Sequence, residues 1–420
     1  VFVIDDLSAW EILESRGRPT VAVSVTFRGG ATGTTQVPSG GSPGKHGGVE
    51  RRDGDPRRFG GLGVLGVCRT IETEIRDAVV GRRFTGLTEL DRALASLDGT
   101  ADKSRLGANA TLGVSQATAV ALAAHRGVPL HRLLSGCAGT SERLPLPFFN
   151  VVNGGAHATN RLRMLEFMIA PVGAPSIREG IRWCAEIYAM LRHNVLRGHG
   201  NINLGYEGGF APDIVEPEEA LRLILEATVD AGYTPGTQIG LAIDAEADNL
   251  VADGGYDLGG PVVSTAGLVD RYEQMMRTYF VFSVEDAVAA PDRDGWALLR
   301  SRLGDRLQLV ADAALGTQAA NIRDAAGTGL GNAALIKPNQ AGTVTETLEA
   351  IAAAREAGWT AMISHRSGET GDTFIADLAV ATGVGQIKAG APAGGERVAK
   401  YNRLIEIELR SGDLPVGPPL

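Results

Sequence analysis

Lysine is scarce in this chain: only five of its 40 basic residues are lysine, at Lys45, Lys103, Lys337, Lys388 and Lys400. A guanidinium stays protonated inside a protein, so a basic catalytic amine has to be a lysine, and each of the five is informative. Cysteine is also sparse. Cys68, Cys137 and Cys184 are odd in number, widely spaced and form no CxxC pair. This argues against a disulfide framework or a zinc knuckle and for a reducing compartment. Excess positive charge is missing, since the net charge is -9; such a chain gains nothing from approaching a phosphate backbone, and no nucleic-acid partner is expected. No apolar run reaches the roughly 18 residues of a membrane span. The acidic opening Val1 to Asp6 is unlike a signal peptide. A cytoplasmic protein without a membrane partner is therefore expected.

With 420 residues and 44% hydrophobic content, the chain exceeds the usual size of one domain. A texture change supports a division into an α+β domain at 1–135 and a larger domain at 136–420. In the first part, Pro19 to Phe27 alternates apolar and polar residues, which predicts a half-buried strand. The segments Gly29 to Gly48 and Gly54 to Gly63 predict loops, with VPSGGSPGKHGG mobile. Helices are predicted near Val64 to Asp77, Leu87 to Leu97 and Leu112 to Arg126.

The second part repeats one pattern. A short apolar run ends in a polar, chemically capable residue: IGLAID at Asp244, VFSVED at Glu285, LQLVAD at Asp312, AALIK at Lys337, AMISH at His365 and GQIK at Lys388. Helical stretches lie between, as in Gly342 to Ala357 and Thr373 to Thr382. Strand, loop and helix in this order are the βα unit of a parallel barrel, whose active site lies at the C-terminal strand ends. Continuous apolar runs suit strands buried on both faces. One polar residue closing a strand is ordinarily structural; six in the same placement point to a site.

Asp244, Glu285 and Asp312 come from three successive units. Carboxylates that converge repel one another unless a cation stands between them. An all-oxygen set suits a hard divalent ion, magnesium first; helix capping is the bland alternative. Lys337 and Lys388 lie on later units, where nearby positive charge could depress an amine's pKa and make it a base. Removing a proton α to a carboxylate creates an enediolate, which a metal and lysines would stabilise. Glu207 lies in a glycine-flanked turn, NLGYEGGFAP, from which a carboxylic acid could protonate a leaving hydroxyl. HRSGET, from His365 to Thr370, suits a phosphate or phosphonate oxyanion.

The segments ILESRGRPTV, VPSGGSPG, LGANATLGVS, FFNVVNGGAHATN, LEFMIAP, YEGGFAPDI, ALIKPNQAGTVTET, MISHRSGETGDTFIADLAV and IKAGAPAGGERVAKYNRLIEIE follow one another as in the enolase family, and the chain resembles that family over nearly its whole length. The resemblance implies an N-terminal α+β domain capping an eight-stranded α/β (TIM-like) barrel with irregular first units. It implies Lys337 as general base, Glu207 as general acid, and Glu166 and Lys388 in support, with Lys388 also holding the substrate carboxylate. Asp244, Glu285 and Asp312 match the ligands of one tightly held Mg2+, and Ser39 matches a serine that joins a second Mg2+ arriving with substrate. His157, His365, Arg366 and Ser367 match substrate-contacting positions. The implied substrate is a small phospho- or phosphono-carboxylate, and the implied assembly a homodimer or an octamer of dimers.

This chain departs from the family pattern beside those residues. Tyr206 stands for an aspartate, Leu165 for a glutamine, Ala313 for the second aspartate of a pair, Ala287 for a proline, Gly371 for an acidic residue and Gly394 for an arginine; Gly47-Gly48 takes the place of a frequent glutamate. Tyr206 and Leu165 are expected to shift the pKa of the acid. Retained acid, base and metal ligands with altered neighbours predict the same chemistry on an altered substrate, as in a paralogue that forms a carboxyphosphono enolpyruvate ester for phosphinate antibiotics. Dehydration of 2-phosphoglycerate and a non-catalytic binding role are the alternatives.

Overall fold

The computed structural model describes residues 1–40, 47–412 and 414–417. The expected mobile segment falls partly outside these residues, as does Lys45. The N-terminal part is a four-stranded sheet of β1 (Phe2–Leu13), β2 (Pro19–Phe27), β3 (Thr32–Gln36) and β4 (Arg83–Phe84), in the order β3-β2-β1-β4. Its long strands are antiparallel. β2 is rich in β-branched residues and almost wholly buried, more so than its alternation predicted. The reason is the helix Ala108–Arg126, which covers the sheet and is itself buried along most of its length.

β3 corrects the expectation of an uninterrupted loop between Gly29 and Gly48. Glycine at position 33 is a packing requirement here, because a Cβ would lie 2.2 Å from the Ala117 carbonyl oxygen of the covering helix. Glycine lets that helix approach the strand backbone. The predicted helix near Val64 forms as Leu65–Thr70, a π turn at Ile71–Ile75 and Arg76–Val79.

The second part is a closed barrel. Its strands are β5 (Leu146–Asn153), β6 (Glu166–Ala170), β7 (Gly240–Asp244), β10 (Val281–Glu285), β11 (Gln308–Ala311), β12 (Ala333–Ile336), β13 (Thr360–Ser364) and β14 (Gly385–Lys388). A small hairpin, β8 (Val251–Ala252) and β9 (Gly255–Tyr256), leaves the barrel after β7. The chain has the expected architecture, a mixed α/β domain beside an eight-stranded barrel. β6 runs against both neighbours, while the other contacts are parallel. Alternate inward residues, including Phe148, Met168, Ala242, Leu335 and Met362, fill the barrel with apolar side chains, so it is a packed core.

Helices on the outside begin where the sequence offers caps. The Ser176 hydroxyl accepts from Glu179 N at 3.2 Å, and Thr343 and Glu346 form a reciprocal pair, 3.1 Å to Glu346 N and 2.7 Å to its carboxylate. Among the described residues no helix is long and apolar enough to cross a membrane.

Candidate active site

The strand register gathers the polar ends at one mouth. Asp244 pairs with Glu285 on one side and with Glu166 on the other, and Asn153 pairs with Glu166. Asp312, Lys337 and His365 each follow directly on β11, β12 and β13. Because β6 is reversed, its first residue faces the mouth to which the other strands bring their last.

Lys388 is the hub. Its buried Nζ donates to Glu285 Oε2 at 2.7 Å, to Asp244 Oδ2 at 3.2 Å and to Glu166 Oε2 at 3.2 Å. Burial disfavours its charge, but the carboxylates of Glu166, Glu285 and Asp244 outweigh burial and hold its pKa well above the ordinary lysine value. Without a cation beside it, Lys388 is therefore held as an ammonium. Lys337 reaches Asp312 Oδ2 at 2.5 Å.

The three expected metal ligands are therefore shared between two lysines. Asp244 and Glu285 meet at Lys388, while Asp312 meets Lys337. The expectation that they converge on one point is corrected in this respect. Among the described residues, the group with one ligand atom each within 4.8 Å of the others is His157, Glu166 and Glu207. An ammonium standing among carboxylates does the charge balancing that a cation would do, which explains the division.

The donor set nonetheless fits a divalent ion. Glu285 Oε1 and Asp312 Oδ1 are buried without a hydrogen-bond partner, a costly state for carboxylate oxygens. The mouth also holds more negative charge than its lysines neutralise. Burial and then Asp244 push Glu285 well up; burial, Asp312 and Asp244 do the same to Asp286; burial and Asp244 raise Glu246 to about 7. Oxygen ligands with unmet charge are those a hard cation such as magnesium takes.

Glu207 and Glu166 form the second half of the site. Glu207 Oε2 accepts from Asn150 Nδ2 at 2.9 Å and lies 3.4 Å from His365 Nε2; its Oε1 lies 3.6 Å from His157 Nδ1. Burial would raise the Glu207 pKa, but His365 and His157 hold it well below the usual range. Glu166 is pushed the other way, by burial and then by the charge on Glu207. Two carboxyls this close titrate as a pair and not one by one. Tyr206 stands next to Glu207 in the chain. It is 50% exposed, edge-on to His157 with ring centroids 6.3 Å apart.

Arg366 Nη1 donates to Asn339 Oδ1 at 2.8 Å, and its backbone N–H donates to Glu369 Oε1 at 3.1 Å. Ser39 and Ser367 come together around one guanidinium. Arg16 Nη1 donates to Ser367 Oγ at 3.1 Å and Nη2 to Ser39 Oγ at 3.4 Å. Ser39 is bridged through its backbone to Gly368, at 2.8 and 3.1 Å. Ser39 thus joins the oxyanion group of residues, and its hydroxyl faces a cationic side chain instead of the carboxylates.

A model of the enolase N-terminal domain matches residues 4–134, and a model of the enolase C-terminal TIM barrel domain matches residues 141–415. The chain belongs to the enolase family. Enolase-family membership makes it an enzyme of the enolase superfamily, and the family typically uses Mg2+.

Sequence reasoning missed several residues of this enolase site. Asp286 accepts from Asp312 N at 2.9 Å and Ala313 N at 3.1 Å, fixing the turn that carries Asp312. Asp286 and Glu246 both adopt positive φ, 42° and 45°, one and two residues past the strand ends. Such backbone is uncommon outside glycine and marks functional turns. Arg397, Asn150 and Arg16 were also missed. All three lie within quoted segments, Arg16 in ILESRGRPTV, Asn150 in FFNVVNGGAHATN and Arg397 in IKAGAPAGGERVAKYNRLIEIE, but nothing in the spacing singles them out.

Proposed function

We propose that this enolase-family chain is a magnesium-dependent lyase that removes water from a 2-O-substituted glycerate to give an enolpyruvate ester. The reading rests on the meeting of Lys388, Asp244, Glu285 and Glu166 at one mouth, with Lys337–Asp312 and Glu207–His365 beside them. Lys337 takes the C2 proton. Lys388 holds the substrate carboxylate as charge builds on it. The Glu207–Glu166 pair delivers its proton to the C3 hydroxyl, which leaves as water. Asp244, Glu285 and Asp312 would hold magnesium, which when bound would supply positive charge for the developing enediolate. Arg366, Ser367 and Ser39 bind the phosphorus end, and His157 and His365 orient the acid pair.

The favoured substrate is 2-O-(carboxyphosphono)glycerate. Its product by loss of water is carboxyphosphonoenolpyruvate, so the chain would be a carboxyphosphonoenolpyruvate synthase of phosphinate antibiotic (phosphinothricin/bialaphos) biosynthesis. Support comes from Tyr206 beside Glu207 and Leu165 beside Glu166, which alter the surroundings of a retained acid pair. The second reading is conversion of 2-phosphoglycerate to phosphoenolpyruvate, favoured by the full acid, base and oxyanion set on the same mouth. Phosphorus NMR of each substrate with enzyme and Mg2+ separates them. Turnover of the carboxyphosphono ester with little on 2-phosphoglycerate supports the first reading; rapid turnover of 2-phosphoglycerate rejects it. A homodimer, or an octamer of dimers, in the cytoplasm is the proposed setting, and sedimentation velocity measures the assembly.

A further inference from the structure

Arg16 sits where the N-terminal domain meets the barrel, with its side chain 6% exposed. Its guanidinium is committed on three sides. Nε faces Glu14 Oε2 at 3.4 Å, Nη1 gives one hydrogen to Ser367 Oγ, and Nη2 donates to Ser39 Oγ and to Gly40 O at 3.1 Å. A guanidinium has five N–H donors, so one Nη1 hydrogen has no acceptor among the described residues.

Its charge is paired with the buried Glu14 carboxylate on the Nε side, and Glu14 has other work as well. Glu14 is occupied by the backbone of its own turn, accepting from Arg16 N at 2.8 Å and Arg18 N at 3.2 Å. The next side chain at the rim is Tyr206, whose ring centroid lies 6.0 Å from the Arg16 guanidinium carbon. A ring face attracts a cation without neutralising it. An aspartate at 206, as in the family pattern, would bring a carboxylate toward the same guanidinium. The Arg366 guanidinium has no carboxylate within 4.0 Å among the described residues and bonds Asn339 instead. The packing allows little else here, since a Cβ on Gly368 would fall 2.6 Å from both Arg16 Nη2 and Glu14 Oε2.

We infer that Arg16, with Tyr206 in place of an acid, is the specificity-determining residue for a carboxylate carried on the substrate's phosphorus. This rests on the carboxyphosphono reading above and names the group that reads its extra charge. The two serines on Arg16 belong to the phosphorus end of the site, so a substituent on phosphorus lies within reach of the same fork. A carboxylate is planar and offers two oxygens, which suits a guanidinium far better than it suits a point charge. The unspent Nη1 hydrogen is what such a group needs.

The test is calorimetric titration of the Mg2+-loaded protein with phosphonoformate, which carries carboxylate on phosphorus, and with methylphosphonate, which does not. Wild type is expected to favour phosphonoformate. Arg16→Met should weaken phosphonoformate by about tenfold more than methylphosphonate, a difference equal to one paired charge at roughly 1.4 kcal/mol. Because Arg16 is buried and its loss could unsettle the fold, Tyr206→Asp provides a second arm at an exposed position; it should produce the same selective loss, while Tyr206→Phe should not. Equal weakening of both anions in Arg16→Met, or unchanged preference in Tyr206→Asp, overturns the inference, even if the enzyme turns over the carboxyphosphono ester. Rapid turnover of 2-phosphoglycerate instead rejects the substrate reading itself, whatever the variants do.

Discussion

Arg397 Nη1 lies 2.6 Å from His365 Nδ1, and this contact fixes the tautomer of the imidazole. Arginine can only donate, so Nδ1 must accept, and the ring hydrogen sits on Nε2, facing Glu207 Oε2. Arg397 is completely buried and donates also to Arg366 O at 2.7 Å, Ser367 O at 2.8 Å and Tyr206 O at 3.1 Å. One side chain from the helix Gly395–Ser411 therefore sets the hydrogen-bond direction at the acid pair and the backbone of two loops around it.

Arg397→Lys keeps the charge but loses the fork, and it should release this control. Nitrogen NMR of His365 should change from a single Nε2–H tautomer to a mixture. We expect kcat to fall by about tenfold to a hundredfold, in the range seen when groups that orient a site are removed, with KM changed much less. A single unchanged tautomer in Arg397→Lys would contradict the assignment.

His365 also makes stability depend on pH. Burial, set against the charge of Glu207, lowers its pKa from 6.5 to about 4. Between those values the unfolded chain binds a proton that the folded protein does not. The contribution is therefore complete above about pH 6.5 and is lost as pH falls toward 4, amounting to about 3 kcal/mol at most. Urea unfolding of wild type and His365→Asn across that interval measures it: the wild-type curve should fall more steeply with acid, and parallel curves would count against a neutral, buried His365.

The two lysines of the mouth should respond differently to removal. Lys388→Met leaves Glu166, Asp244 and Glu285 facing one another without their ammonium, at a cost of about 3–5 kcal/mol, and added Mg2+ should recover part of the loss. Lys337→Ala touches one partly buried carboxylate, so the fold should hold while turnover drops by about 10²–10⁴ as a general base is removed. Urea melts and single-turnover rates on both variants distinguish the roles. Equal destabilisation by the two changes would refute the division.

The unpartnered oxygens of Glu285 and Asp312 predict that magnesium stabilises the protein. At a concentration a hundred times its Kd, a ligand specific to the folded state adds about 2.7 kcal/mol. A thermal melt with Mg2+ against one with EDTA should show the rise, and both Glu285→Ala and Asp312→Ala should abolish it.

Much of this site was legible because barrel strands end where the chemistry is. Asp244, Glu285 and Lys388 are last residues of strands, while Asp312, Lys337 and His365 come one residue later. Glu166 breaks that rule, and only its resemblance to a family motif exposed it, because pattern alone does not reveal that β6 is reversed. Asp286 and Glu246 could not be read as site residues, since their placement depends on left-handed backbone. Arg397 lies in the quoted segment IKAGAPAGGERVAKYNRLIEIE, but pattern alone does not reveal that this late helix reaches the mouth. Gly33 misled for the opposite reason: glycine has conformational freedom in a loop, but in β3 it is required by the approach of a helix.

The join between Ser39 and Gly368 also bears on how this protein can be recombined. Residues separated by most of the chain's length form one seam there, with Arg16 threaded across it. A chimera that took its capping domain from one relative and its barrel from another would inherit two halves of an anion cradle fitted to different partners. Functional exchange should therefore succeed only when the segments around positions 14–18, 36–40 and 366–372 travel together.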